Sequence, residues 1–478
     1  MKQNYQNICY SILGIFFTFL CYSQGNYKFE NFLVEDGLPH NILNNIIQDK
    51  KGYIWIATTN GISRYNNYSF TNFKPKGTDK IVMKNNRVDR ILEDTYGRIW
   101  MTSAAIDSQI YCFNPKNESF WGIELINNLD KNFKFGTIQI TKSGNVWLLS
   151  KNENGCILVS NAQFDTKLFS KKSNNLNTNK VNTIFEDSEK RSWILTNAGI
   201  TLVNTFKPNQ HSITLLKNNP SAIAFFSAVE MGDEIYFGGS KGNLAIYSKE
   251  NKKLKIKNIE LDADIIQLNK IDPHTILAIT NQKGFCTIDL LTGTINKYNS
   301  TTHSQLKTTD LNPIAFVKNH QLWFVTAKEK GIYLFDFKIK KLYNYPGTAT
   351  DPVNAAIPAN AFVLTDKRGT VWVQPYRGSF SKFDSDKKEL IPFKIPNDSF
   401  DKYSPSGLHT VFFDRQGCLW YNKEATGLCK ITFNDYKFTK SPLQAVPRNV
   451  RAIFQDKQKN IWMSTKQKQI ILFDKNLH

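Results

Sequence analysis

Between residues 41 and 73 the apolar positions change period and then pause, four times over. "NILNNIIQD" (41–49) is an apolar-rich run, "KKG" a break, and "YIWIATT" (53–59) an alternating run. "GISRYN" (61–66) and "YSFTNF" (68–73) follow after equally short breaks. Four short runs joined by tight turns predict an antiparallel meander of four strands, and no stretch carries the 3.6-residue period of a long amphipathic helix.

The same pattern returns along the chain. Aligned on a tryptophan or its apolar replacement, the copies centre on Trp55, Trp100, Trp147, Trp193, Tyr236, Leu277, Trp323, Trp372, Trp420 and Trp462. The spacings are 45, 47, 46, 43, 41, 46, 49, 48 and 42 residues. A lone four-stranded meander leaves apolar faces in water, and stacking copies radially buries them. The expected fold is therefore all-β, a β-propeller of four-stranded antiparallel blades.

Within a copy, an aspartate, a glycine and the tryptophan keep fixed offsets: Asp49, Gly52 and Trp55; Asp94, Gly97 and Trp100; Asp366, Gly369 and Trp372; Asp414, Gly417 and Trp420. The aspartate suits a turn that accepts backbone hydrogen bonds, the glycine a positive φ, and the indole a place between blades. Two copies keep the aspartate but replace the glycine by Lys190 or Lys459, and Tyr236 and Leu277 lack the indole. Packing tolerates such drift and a catalytic motif does not, so Asp49, Asp94, Asp187, Asp366, Asp414 and Asp456 are read as structural.

Ten copies exceed the usual size of one ring. The expected division is one complete seven-bladed ring over 24–347, from Trp55 to Trp323, and the first three blades of a second over 348–478. "YKFENFLV" (27–34) is expected to complete the last blade of the first ring, and "TATDPVNAAIPAN" (348–360) to act as hinge.

The beginning of the chain bears on location. Lys2, an apolar run from Ile8 to Leu20 and the small Ser23 read as a secretory leader over 1–23. An uncleaved anchor and a lipidated Cys21 are the weaker readings. Beyond the leader, Cys112, Cys156, Cys286, Cys418 and Cys429 are an odd, scattered set that makes a poor disulfide framework, with only Cys418 and Cys429 near enough to share a hairpin. Neither CxxC nor HExxH occurs, so no structural metal and no cofactor is expected.

The formal charge of +20 favours acidic partners, yet the 61 Lys and Arg are dispersed without a run of four. No nucleic-acid contact is expected.

The stretch "EDGLPHNILNNIIQDKKGYIWIATTNGISRYN" (35–66) resembles the opening repeat of the two-component regulator propeller family: Gly-Leu and a polar pair, an apolar strand, Asp-x-x-Gly-x-Leu-Trp, then Gly-Leu. The likeness extends through all ten copies and is specific in the first, second, eighth and ninth. Pro39 and His40 replace the usual small polar pair, and Ala57 stands where glycine is common. The resemblance implies the periplasmic sensor region of a Bacteroidetes-type hybrid two-component system, often one that recognises poly- or oligosaccharides. It implies a homodimeric full receptor whose histidine kinase lies outside this chain.

No paired acid and base, activated nucleophile or metal cluster stands out, so this chain is not expected to be an enzyme. A secreted propeller enzyme such as a polysaccharide lyase, or a protein-binding scaffold, is the alternative. For a ligand the rim loops offer His40, Asn41, Asn60, Asn86, Arg87, Asn197 and Arg377, with Tyr376 as a stacking platform. The two arginines suit a carboxylate or sulfate on an anionic glycan.

Overall fold

The structure, a computed structural model, describes residues 27–74, 86–103, 109–122, 133–160, 164–173, 176–203, 213–215, 223–281, 283–303, 306, 311–318, 320–326, 331–345, 361–374, 380–393, 410–422, 427–433, 450–466 and 469–473. Among these residues there is no α-helix, and the strands form nine four-stranded sheets and one of three strands. The first copy shows how the pattern becomes a blade. Leu43–Gln48, Ile54–Thr58, Gly61–Tyr65 and Phe70–Phe73 pair in sequence order, antiparallel throughout.

The chain divides into two compact units, Phe29–Thr432 and a second made of Met1–Lys28 with Phe433–His478. Phe29–Thr432 carries nine sheets, numbered here as blades 1 to 9 from the Trp55 sheet to the Trp420 sheet. First strands of neighbouring blades lie against one another: Leu43–Gln48 against Arg90–Glu93, Phe225–Met231 against Ile265–Asp272, Leu311–Val317 against Phe362–Thr365. Thr410–Phe413 of blade 9 lies against Leu43–Gln48 of blade 1, which closes the ring.

The core sits between blades. Trp55 packs with Ile91, Ile99 and Phe113 of blade 2, Trp193 with Phe237 and Tyr247 of blade 5, and Trp323 with Val371 and Phe383 of blade 8. At the closing interface Trp420 meets Ile46, Ile56 and Tyr65 of blade 1. Burying seven indoles almost completely between sheets gives each interface a large apolar area and fixes its spacing. Tyr236 and Leu277 fill the same place in blades 5 and 6, both buried.

The ring differs from the expected seven blades over 24–347. The Trp323 sheet already has four strands of its own, the last being Lys341–Tyr345, and its edge is full. The blade 9 sheet takes only three strands from its own copy, and Tyr27–Phe32 pairs with Leu428–Phe433 as the fourth. The boundary at 347 thus gives way to a ring of nine ending at about Thr432, with Trp372 and Trp420 inside it. The leader 1–23 and the hinge 348–360 lie outside the described residues.

In the other unit, Val450–Gln455, Ile461–Thr465 and Ile470–Phe473 form the three-stranded sheet. Its Trp462 is 38% exposed, unlike every indole of the ring repeat. Cys418 and Cys429 are not bridged: Cys429 stands opposite Tyr421, whereas Cys418 precedes the paired strand.

Candidate functional site

In five of the nine blades the first turn is built around one aspartate. In blade 1, Asp49 Oδ1 accepts the Tyr53 amide at 2.9 Å and Oδ2 accepts the Trp55 indole N–H at 2.8 Å. The same pair of bonds joins Asp94 to Arg98 N and Trp100, Asp187 to Arg191 N and Trp193, Asp366 to Thr370 N and Trp372, and Asp414 to Cys418 N and Trp420. Asp456 holds Asn460 N and Trp462 in the same way, and the indole N–H holds its carboxyl below the usual range.

Four residues into that turn the backbone is left-handed. Gly52 has φ +99° and Gly417 +90°, while Lys190 and Lys459 adopt +61° and +69° in the copies without glycine. The cost of a side chain there is modest enough for the other turn bonds to hold it. Two tryptophans of the repeat lack the aspartate six residues before them, where Thr141 and Val317 stand. Their indole nitrogens, in Trp147 and Trp323, are buried without a hydrogen-bond partner.

These turns also link blades. Lys50 N donates to Glu93 at 2.8 Å, Ser143 N to Glu186 at 2.9 Å, and Ser188 N to Glu230 at 2.8 Å. Arg415 N donates to Gln48 at 2.8 Å, so the closing interface uses the same latch. For Glu230, burial works to raise the pKa, but bonds from Lys249 and Ser188 outweigh it and hold the carboxyl low. For Glu93, burial wins over the Lys50 amide and the pKa rises.

The first strands wall the channel, and their polar side chains tie neighbours together. A bulge falls at Leu43/Asn45 and at Val181/Thr183, and the residue it frees donates across: Asn44 Nδ2 to Val88 O at 2.7 Å, Asn182 Nδ2 to Phe225 O at 2.8 Å. Asn422 closes the ring similarly, to Leu43 O at 2.8 Å. The sequence reading missed these amides, although an asparagine at the second position of the first strand is the visible signal of Asn44 and Asn182.

Cavities open along the ring. One of about 500 Å³ lies between blades 6 and 7, lined by Gln267, Asn269, Lys270 and the run from Pro313 to Phe316. Proline lacks an N–H and the ladder slips at Pro313/Ala315, which recesses the wall there. Asn269 Nδ2 is buried in it without a protein partner. Another, of about 670 Å³, lies at the turn end of blades 3 to 5 between Lys142, Glu186, Lys190 and Glu230.

The rim residues are partly gathered. Asn60 Nδ2 donates to Pro39 O at 3.2 Å and Asn60 Oδ1 accepts from Asn86 at 3.4 Å, which joins the loops of blades 1 and 2. His40 Nδ1 accepts the Ile42 amide at 2.9 Å, and Asn41 Oδ1 accepts the Val34 amide at 3.0 Å. Arg87 pairs with Asp89 at 2.7 Å and its side chain is half exposed. Asn197 lies away in blade 4, where its backbone N–H reaches Lys180 O. Tyr376 and Arg377 lie outside the described residues.

Among the described residues no group of three or more His, Cys, Asp or Glu could hold a metal ion, and no helix is long and apolar enough to cross a membrane. The cysteines are buried, which pushes the Cys286 thiol up to about 12 and the Cys112 and Cys156 thiols upward as well.

With that geometry in view, the repeats have a match. Residues 37–60 and 446–467 fit the family model described as Two component regulator propeller. The chain carries two-component regulator propeller repeats. The fit falls on the first and tenth copies, where the Asp–Trp turn is complete. No curated protein matches the chain.

Among solved structures, the repeats resemble the extracellular domain described as that of hybrid two component system BT3049 from B. thetaiotaomicron, at 15% identity and TM-score 0.36, over 95% of this chain and 66% of that one. The chain thus spans a little under two thirds of that domain's length. Virginiamycin B lyase from Staphylococcus aureus aligns at 12% identity and TM-score 0.41, over 85% of this chain and 99% of the other. The computationally designed Ika8 protein aligns at 9% and 0.45, over 74% and 97%.

Proposed function

We propose that this chain is the exported, periplasmic ligand-sensing region of a two-component receptor, recognising a poly- or oligosaccharide and passing the signal to a kinase outside the chain. The observation that carries the reading is the two-component regulator propeller repeat itself, matched at 37–60 and set in a ring whose blades are latched on both sides. A stiff ring holds loop residues in fixed relation, which suits recognition. The channel wall supports a polyhydroxyl ligand chemically, because its amides and hydroxyls can donate and accept at once.

Signalling requires a ligand that binds two arrangements of the receptor with different affinity, and a homodimer of the full receptor would provide them. The three-stranded Trp462 sheet supports a further array of blades, since its apolar residues are of the kind that neighbouring blades cover in the ring. The rim cluster around Asn60 and Arg87 is the first place to test. In a full receptor carrying this chain, Arg87→Ala is expected to weaken the response to an anionic oligosaccharide at least tenfold. The Arg87–Asp89 pair is exposed, so its loss costs less than about 1 kcal/mol and the Tm stays within a degree or two. An unaltered dose response removes Arg87 from the site.

A further inference from the structure

In a four-stranded meander the turn between the first and second strands and the turn between the third and fourth lie at the same end of the sheet. Radial repetition gathers all such turns onto one face of the ring. The three most exposed large apolar side chains described in Phe29–Thr432 sit at this face: Tyr68 at 94%, Leu291 at 73% and Ile339 at 53%. Each occupies the tip of a third-to-fourth-strand turn, in blades 1, 6 and 7.

The tips are held outward. Asn66 Oδ1 accepts the Tyr68 amide at 2.9 Å, Asp289 Oδ1 the Leu291 amide at 2.9 Å, and Asp336 Oδ1 the Lys338 amide at 3.0 Å. Cations flank two of them. Lys338 and Lys340 stand either side of Ile339, and Lys257 of blade 5 reaches within about 4 Å of the Cβ position at Gly293, in the Leu291 turn. No carboxylate pairs with Lys257, Lys338 or Lys340 among the described residues.

Single exposed apolar residues are ordinary on proteins. Their confinement to one face, at separate protruding tips beside unpaired lysines, is less so. A protein partner would be met by a contiguous apolar patch, whereas isolated apolar tips set among cations match a headgroup layer that admits each tip and pairs with each lysine. We infer that this face of the ring docks on an anionic lipid bilayer, with Tyr68, Leu291 and Ile339 entering the interface and Lys257, Lys338 and Lys340 meeting the headgroups. The inference goes beyond the ligand-sensing reading and does not depend on it.

The test uses the whole chain with phosphatidylcholine vesicles and with vesicles in which about a third of the lipid is phosphatidylglycerol. Binding is expected only to the anionic vesicles and is expected to weaken with salt. Replacing Lys338 and Lys340 by glutamine should lower the partition coefficient about fivefold per lysine, roughly 25-fold together. An environment-sensitive dye on a Leu291→Cys variant should brighten with anionic vesicles, and the same dye on Lys283→Cys, in the second-to-third-strand turn at the opposite end of blade 6, should not. Equal partition into both vesicle types, no partition into either, an unaffected double variant, or equal brightening at the two labels would each overturn the inference.

Discussion

In six of the ten copies one carboxylate closes a turn with one oxygen and anchors an indole with the other. Asp414 shows why this matters for stability: its carboxylate is buried, and removing it leaves the Trp420 N–H and the Cys418 amide without their acceptor. Asp414→Ala is therefore expected to cost about 2–4 kcal/mol in urea unfolding. The chain contains its own converse experiment, because Trp147 already lacks such an acceptor. Thr141 occupies the aspartate position and accepts the Asn145 amide at 3.2 Å through its hydroxyl, so half of the motif is in place. Thr141→Asp should supply the other half and stabilise the chain by about 1 kcal/mol; a neutral or destabilising result would show that the indole nitrogen is not the limiting group. The aspartate, glycine and tryptophan offsets were legible in the sequence because turn geometry is local. The Asp-to-indole bond was not, because it spans a hairpin and depends on register rather than on residue type.

At the scale of one sheet, the same residue can be core or surface according to its neighbour. Ile46 and Ile453 hold equivalent positions in the first strands of the Trp55 and Trp462 sheets, paired with Ile56 and Met463. Ile46 is 4% exposed and Ile453 66%. Ile46→Ser should then lower stability by about 3–4 kcal/mol, and Ile453→Ser by no more than about 0.5 kcal/mol. Equal losses in the two variants would mean that the Trp462 sheet is covered in solution. Strand positions were readable from alternation, since the side-chain period follows from the pleat. The bulges at Leu43/Asn45 and Val181/Thr183 were not, because a bulge adds one residue without changing composition. Hence the amides of Asn44 and Asn182, which join blades, escaped a reading based on turns. The contact between Asn60 and Asn86 belongs to two different copies and could not be seen in either.

Ring size is a property of the whole molecule, and a repeat that looks the same at every step does not encode where the steps end. Seven blades were expected because ten copies exceed the usual size of one ring, with the strand at 27–34 completing the last blade of the first. Within the ring, the sheet that lacks a strand is that of Trp420: Tyr27–Phe32 adds to Leu428–Phe433, and Cys429 Sγ lies 3.3 Å from Asn31 Oδ1. This pairing makes the closure testable by chemistry. Asn31→Cys should form a disulfide with Cys429 under mild oxidation, whereas a ring closed at the Trp323 sheet would leave the two thiols far apart. Cross-linking residues 398 positions apart in sequence restricts the unfolded chain strongly, although engineered bridges often deliver less than loop length implies. The oxidised variant should therefore gain about 2–4 kcal/mol over its reduced form. Mass spectrometry of a proteolytic digest would show the linked peptides, and two free thiols after oxidation would place the N-terminal strand elsewhere and reopen the count of blades.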